Sequence, residues 1–219
     1  MNYRDFLQKI IYVIINPLIK LMIKLHITPN TVTAIGFVGN IAAAAFFINA
    51  AFLLTDKGTT PSSYAAIGWG GFIILAAGLF DMMDGRLARM GNMSSSFGAL
   101  WDSTLDRYSE LVSLFGICLL FLRMPGELWF WMGVCTFAAM IGSVMVSYVR
   151  ARAEGLNIAC KVGFMQRPER VVVTALSAML SGLTNNLWWL AGGMMLIALL
   201  ANITAFWRIL HCYNVMKKQ

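Results

Sequence analysis

Charged residues are absent from four long intervals of the chain: Leu25–Thr55, Gly58–Phe80, Leu128–Val149 and Val171–Trp207. A helix needs about 20 largely apolar residues to cross the hydrocarbon core of a bilayer. The last interval is too long for one span, and Ser181-Gly182-Leu183-Thr184-Asn185-Asn186 divides it with a turn signal. The pattern predicts five spanning helices, at roughly 31–54, 64–90, 128–154, 168–182 and 187–211. Connectivity asks for a sixth between Ser95 and Leu122, joining the helix that ends near Arg89 to the one that begins near Leu128. Hydropathy scores this sixth segment poorly, because it carries Asp102, Asp106, Arg107 and Glu110, yet Leu111–Leu122 is uncharged. Six spans place both termini on one side.

The first residues follow a different rule. Lys9, Asn16, Lys20 and Lys24 fall at spacings of seven, four and four, which puts them on one helical face opposite Phe6, Ile10, Ile14 and Leu18. This predicts an amphipathic helix lying on the membrane surface, kinked at Pro17, rather than a cleaved signal peptide. Thr28-Pro29-Asn30-Thr31 reads as a helix start, with a capping hydroxyl and proline in the first turn. The expected organisation is all-α: a juxtamembrane amphipathic helix over 1–24, then one six-transmembrane-helix domain over 25–219.

Composition supports the bilayer. The 219 residues are 59% hydrophobic and 12% charged, against about 25% charged in soluble domains. A soluble domain of this size leaves about a quarter or more of its unfolded surface exposed and could not hide so much apolar side chain. This excludes a soluble globular enzyme, a disordered chain and a disulfide scaffold. Cys118, Cys135, Cys160 and Cys212 have no metal-ligand spacing and read as small packing residues. The net charge is +7. On the six-span map every Lys and Arg except Lys57 and Arg123 collects on one side, which the positive-inside rule makes cytoplasmic. No clustered basic run suggests nucleic acid; anionic membrane lipid is the expected neighbour.

The scarce acids are concentrated. Asp81, Asp84, Asp102 and Asp106 lie within 26 residues. Each would cost about 2.5–3.5 kcal/mol at membrane depth on insertion scales, so together they need a partner. Asp81 and Asp84 are three apart on one helix, and Asp102 and Asp106 four apart on the next, so each pair shares a face. A turn containing Gly91, Asn92 and Ser94–Ser96 folds the two helices into a hairpin. Four facing carboxylates make a hard oxygen site suited to Mg²⁺ or Mn²⁺, one ion or a two-metal pair. Small residues Gly85, Ala88 and Gly98 allow close approach, and Arg89 stands ready for a phosphate. An ion pathway is the rival chemistry for intramembrane acids, but no repeat of broken helices supports a channel or transporter.

The residues Asp81, Asp84, Gly85, Ala88, Arg89, Gly98, Asp102 and Asp106 form the pattern D-x2-D-G-x2-A-R-x8-G-x3-D-x3-D, which resembles the signature of the CDP-alcohol phosphotransferases. The resemblance implies an all-helical membrane enzyme, and a homodimer. It implies that Asp81, Asp84 and Asp102 are ligands of two divalent ions. It makes Asp106 the base that deprotonates the acceptor hydroxyl, with a further contact to metal. Thr31, Gly85, Ala88, Arg89 and Gly98 would bind the CDP-lipid. The implied reaction is attack of an alcohol on the β-phosphorus of CDP-diacylglycerol with release of CMP, at a cytoplasm-facing site in the cytoplasmic membrane.

A second charged cluster bears on the acceptor. Ser147-Tyr-Val-Arg150-Ala-Arg152-Ala-Glu154 and Arg167-Pro-Glu-Arg170 are followed by an isolated Arg208. Lone arginines at a cytoplasmic rim need no function, but several converging on one cavity would bind an anion. An intramembrane Arg208 is placed more cheaply in a cavity than against lipid. The two strings resemble the prokaryotic phosphatidylinositol-phosphate synthase branch of the family. That resemblance makes Ser147, Arg150, Arg152, Arg170 and Arg208 an inositol-phosphate pocket. The branch often has Lys at the position of Arg150. The phosphate of glycerol 3-phosphate would fit an arginine pocket as well, so a phosphatidylglycerophosphate synthase is the alternative. A serine acceptor would need no such pocket.

Overall fold

The computed structural model describes the backbone of residues 3–218 and the side chains of residues 12 and 15–218. It contains seven helices: α1 Tyr3–Lys24, α2 Pro29–Phe52, α3 Pro61–Met90, α4 Ser96–Arg123, α5 Glu127–Glu154, α6 Arg167–Thr184 and α7 Trp188–Met216. The described residues contain no β-strand. The predicted helical segments all appear. The sixth helix to be inferred, α4, runs unbroken through its charged half, within one residue of the expected bounds, and the main shift is that α7 continues past 211.

Local chemistry sets the boundaries. The Thr28 hydroxyl accepts from the Thr31 amide and Pro29 opens α2. Thr60 and Ser63 form a reciprocal capping box ahead of α3, with Pro61 in its first turn. Ser95 caps α4 by accepting from the Gly98 amide at 2.9 Å. Asn185, in the left-handed region at φ 51°, ends α6 where the sequence signalled a turn.

Packing runs α2–α3–α6–α7–α5–α4 and back to α2, a closed ring of six helices, with α1 laid against α3. Phe47, Ile67, Leu114, Ile117, Phe121, Leu190 and Met194 fill the interior. Glycines permit the closest crossings. A Cβ on Gly182 would stand 2.6 Å from Gly68 Cα, where α6 crosses α3. One on Gly116 would stand 2.9 Å from the Ala44 carbonyl, where α4 crosses α2.

Helices α2, α3, α5 and α7 are each long and apolar enough to cross a membrane, and the chain is a multi-pass membrane protein. Helix α1 runs through Pro17 without interruption. A face of α1 that the spacing did not single out packs against the helix bundle. Ile15, Ile19 and Met22 are buried against Val32, Met83 and Leu87, Asn16 turns to Arg86, and Leu18 is exposed. Spacing alone could not say that α3 would offer α1 a partner. The expected roles of Phe6, Lys9, Ile10 and Ile14 fall outside the described side chains.

Candidate active site

The site grows out of the α3–α4 hairpin. Helix α3 ends with the Gly91 amide bonded to the Leu87 carbonyl and the Met93 amide to the Ala88 carbonyl, and Asn92 takes a left-handed conformation at φ 52°. The chain re-enters α4 at the Ser95 cap, so both aspartate pairs face inward near the same level. One carboxylate oxygen from each of Asp81, Asp102 and Asp106 lies within 4.8 Å of the others. All three residues are half-buried. Asp84 stays outside this group. It is buried, and the Thr33 hydroxyl of α2 donates to its Oδ2 at 2.6 Å. Asp81, Asp84, Asp106, Thr33, Asn40 and Ser109 line a small cavity.

This donor set fits a divalent cation. Carboxylate oxygens are the hard ligands Mg²⁺ and Mn²⁺ prefer. Asp102 Oδ1 is buried with no hydrogen-bond partner, a costly arrangement that a cation would relieve. Among the described residues the one cation in contact with the cluster is Arg167, at the start of α6. Its Nη1 donates to Asp81 Oδ1 at 2.8 Å and its Nη2 sits 2.7 Å from Asp106 Oδ1.

The residues expected to hold the CDP-lipid lie at three helix ends, the starts of α2 and α4 and the end of α3. A Cβ on Gly98 would stand 3.2 Å from Asn30 Oδ1, so the start of α4 meets the start of α2. There the Thr31 and Thr28 hydroxyls are 2.9 Å apart. On α3, half-buried Gly85 and Ala88 precede the exposed Arg89. Nothing but the Arg89 guanidinium, 3.8 Å away, would meet a Cβ on Gly85. Arg89 Nη2 donates to the Tyr12 hydroxyl at 3.0 Å, and the Tyr12 ring lies 4.6 Å beneath Arg86. The Arg86 Nε donates to Asn16.

The five residues expected at the acceptor are distributed differently from expectation. Arg170 is 1% exposed. Its Nε and Nη2 grip Glu110 at 2.5 and 2.8 Å, and its Nη1 donates to the Met165 carbonyl. Arg208 faces neither lipid nor open cavity. It is 2% exposed and donates to the carbonyls of Val162 and Val146. Protein backbone satisfies it, a solution that charge spacing could not reveal. Arg150 pairs with Glu154 one turn on, at 2.9 Å. Arg152 is exposed and Ser147 half-buried. Arg150 and Arg170 both lie close enough to Arg208 for their charges to repel, so these three share a neighbourhood. Arg170 and Glu110 wall a second small cavity, which also touches Arg167, Ser109, Asn40 and Thr174.

Sequence reasoning passed over Thr33, Glu110, Arg167 and Tyr12 as site residues. Glu110 sits one turn beyond Asp106 on the same face, a signal that was available. Arg167 is the first residue of the Arg-Pro-Glu-Arg string. Thr33 and Tyr12 carried no signal, because their partners are 51 and 77 residues away.

Comparison with known proteins agrees with this geometry. A phosphatidylinositol phosphate synthase of Mycobacteroides abscessus is 30% identical over 90% of this chain and 82% of its own length. An archaetidylinositol phosphate synthase of Pyrococcus horikoshii is 34% identical over 87% and 86%. Crystal structures of Mycobacterium tuberculosis phosphatidylinositol phosphate synthase superimpose at 26% identity. The form with CDP-DAG bound has a TM-score of 0.75 and covers 90% of this chain and 92% of that one. The form in complex with manganese and citrate gives 0.76, over 90% and 88%. The profile of the CDP-alcohol phosphatidyltransferases matches residues 26–207, and the chain belongs to that family of membrane transferases.

Proposed function

We propose that this protein transfers the phosphatidyl group of CDP-diacylglycerol to inositol phosphate and releases CMP, as a step of phospholipid synthesis. The observation that carries this reading is the meeting of three carboxylates of the eight-residue signature beside a cavity walled by arginine. The names of the relatives support the acceptor.

Asp81, Asp84, Asp102 and Asp106 are proposed to hold two divalent ions, Mg²⁺ or Mn²⁺, with Asp84 braced by Thr33. When bound, such ions offset the charge of the pyrophosphate and of the departing CMP. Arg89, with Gly85, Ala88, Gly98 and Thr31, would orient the CDP-lipid. Asp106 takes the proton of the acceptor hydroxyl on a carboxylate oxygen. The hydroxyl oxygen bonds to the β-phosphorus as the bond to the CMP oxygen breaks. The arginine neighbourhood of Arg150, Arg152, Arg170 and Arg208, with Ser147, would receive the acceptor's phosphate. Since Arg170 and Arg208 already have partners, direct contact falls first to Arg150 and Arg152, and the buried pair shapes the pocket.

We place all six helices of the ring across the bilayer, as the domain of residues 25–219, with α1 as a surface helix over 1–24. The site then faces the cytoplasm, in the cytoplasmic membrane of a homodimer. The test of function is an acceptor panel. Purified protein receives CDP-diacylglycerol and Mg²⁺ with inositol phosphate, inositol, glycerol 3-phosphate or serine, and CMP release is measured. Inositol phosphate should be the preferred acceptor. Preference for glycerol 3-phosphate would make the enzyme a phosphatidylglycerophosphate synthase.

A further inference from the structure

Among the described residues Arg167 is the one cation in direct contact with the carboxylate cluster, and it joins two cavities. Its guanidinium forks across Asp81 Oδ1 at 2.8 Å and Asp106 Oδ1 at 2.7 Å. Those carboxylates, with Asp102, are the ones whose oxygens converge within 4.8 Å. Its Nε is buried with no hydrogen-bond partner. It lines the carboxylate cavity and also the neighbouring cavity of Glu110 and Arg170. The residue therefore makes two strong contacts, leaves a third donor unused, and borders the cavity walled by Arg170, one of the arginines proposed to form the acceptor pocket.

A guanidinium fixed to two carboxylates does the electrostatic work of a cation. A divalent ion on Asp81 and Asp106 would meet that positive charge at close range, in a partly buried site where like charges repel more strongly than in water. The two cations compete for the same pair of acids. Position favours exchange over coexistence. Arg167 is the first residue of α6, ahead of Pro168, and the residue before it, Gln166, makes no side-chain cap. The segment from 155 to 166 contains no helix. One turn on, Arg170 is clamped to Glu110, so the helix holds its place while the side chain at its tip turns.

We infer that Arg167 is an exchangeable counter-cation of the active site. It holds the Asp81–Asp106 pair until a divalent ion takes those carboxylates. It then releases them and turns its donors toward the cavity beside Glu110 and Arg170, where an anionic group of the acceptor would meet it. This rests on the reading of Asp81 and Asp106 as metal ligands. It adds an order to the reaction: metal first, then a phosphate-competent Arg167.

The test measures metal binding as well as turnover. Mn²⁺ binding to detergent-purified protein is followed by calorimetry for the wild type, Arg167→Gln and Arg167→Lys. Thermal unfolding is recorded with and without Mn²⁺. Removing the competitor should tighten Mn²⁺ binding about tenfold in Arg167→Gln, with Arg167→Lys between it and the wild type. Without Mn²⁺ the Gln variant should unfold at lower temperature than the wild type, and Mn²⁺ should close the gap. Unchanged or weaker Mn²⁺ binding in Arg167→Gln would overturn the inference. A second measurement needs no variant. Phenylglyoxal modification of wild-type arginines, read by peptide mass spectrometry, should rise several-fold at Arg167 when Mn²⁺ is added, while Arg170 stays unmodified. No rise at Arg167 counts against exchange even if the variants fail to fold. The underlying metal reading fails separately: it is lost if Asp81→Asn binds Mn²⁺ as the wild type does, whatever Arg167 does.

Discussion

The two charged regions of the molecule are built on opposite principles. In the α3–α4 hairpin, acids outnumber the cations that touch them. Asp81 and Asp106 share one arginine, and Asp102 keeps a buried oxygen without a partner. Around α5 to α7 the arginines have partners already. Arg170 is gripped by Glu110, Arg208 by two backbone carbonyls, and Arg150 by Glu154. A cluster with unmet demand is shaped for a ligand that brings the missing charge. A cluster with satisfied members holds its own walls in place and offers a ligand only its outer residues. The comparison separates residues whose loss stops chemistry from residues whose loss weakens the fold.

The hardest break falls on the unsatisfied side. Asp106→Asn keeps the shape and a carbonyl oxygen but removes the proton acceptor, so CMP release should fall by a factor of about 10²–10⁴. Mn²⁺ binding by calorimetry should persist, since two other clustered carboxylates remain. Turnover at the wild-type rate would remove Asp106 as the base.

On the satisfied side the first loss is of structure. Arg170→Ala leaves Glu110 charged and buried, at a cost of about 3–5 kcal/mol. The double variant Arg170→Met/Glu110→Leu should recover most of the thermal stability, and CMP release with it. If Arg170→Ala instead unfolds like the wild type and only the acceptor KM rises, Arg170 is a ligand contact and the contrast between the regions is wrong. Arg208→Met comes next. It frees the carbonyl of Val162, an unmet acceptor worth about 1–3 kcal/mol, while Val146 inside α5 keeps its helical partner, and it should loosen the loop between α5 and α6. Faster hydrogen exchange in residues 155–166 is the measurement.

This contrast was only half legible in the sequence. Helices were readable because charge-free runs, capping threonines and Thr184-Asn185-Asn186 act locally. The acidic hairpin was readable because its four aspartates lie close together in the chain and on predictable faces. Arginine partners were not, since the Arg170–Glu110 contact spans 60 residues and the Arg208–Val146 contact 62. Spacing places a charge on a face but cannot say what the next helix will set opposite it. The same limit applies to α1, where spacing gave a face for the membrane but not the residues that pack on α3.

The smallest effect gives the finest discrimination. Arg150 and Glu154 are 43% and 54% exposed, and a surface pair at one helical turn contributes about 0.3–0.5 kcal/mol. Arg150→Lys should therefore leave thermal stability within measurement error. It keeps the charge and loses the planar fork that grips a phosphate through two hydrogen bonds. If Arg150 is an outer residue that meets the acceptor, the KM for inositol phosphate should rise several-fold while the KM for CDP-diacylglycerol holds. The relation reverses that of Arg170→Ala, where stability falls first. A variant with both KM values unchanged would leave Arg152 as the outer cation of the pocket. Arg150→Lys combined with Arg152→Ala should then lose acceptor affinity with no change in unfolding temperature.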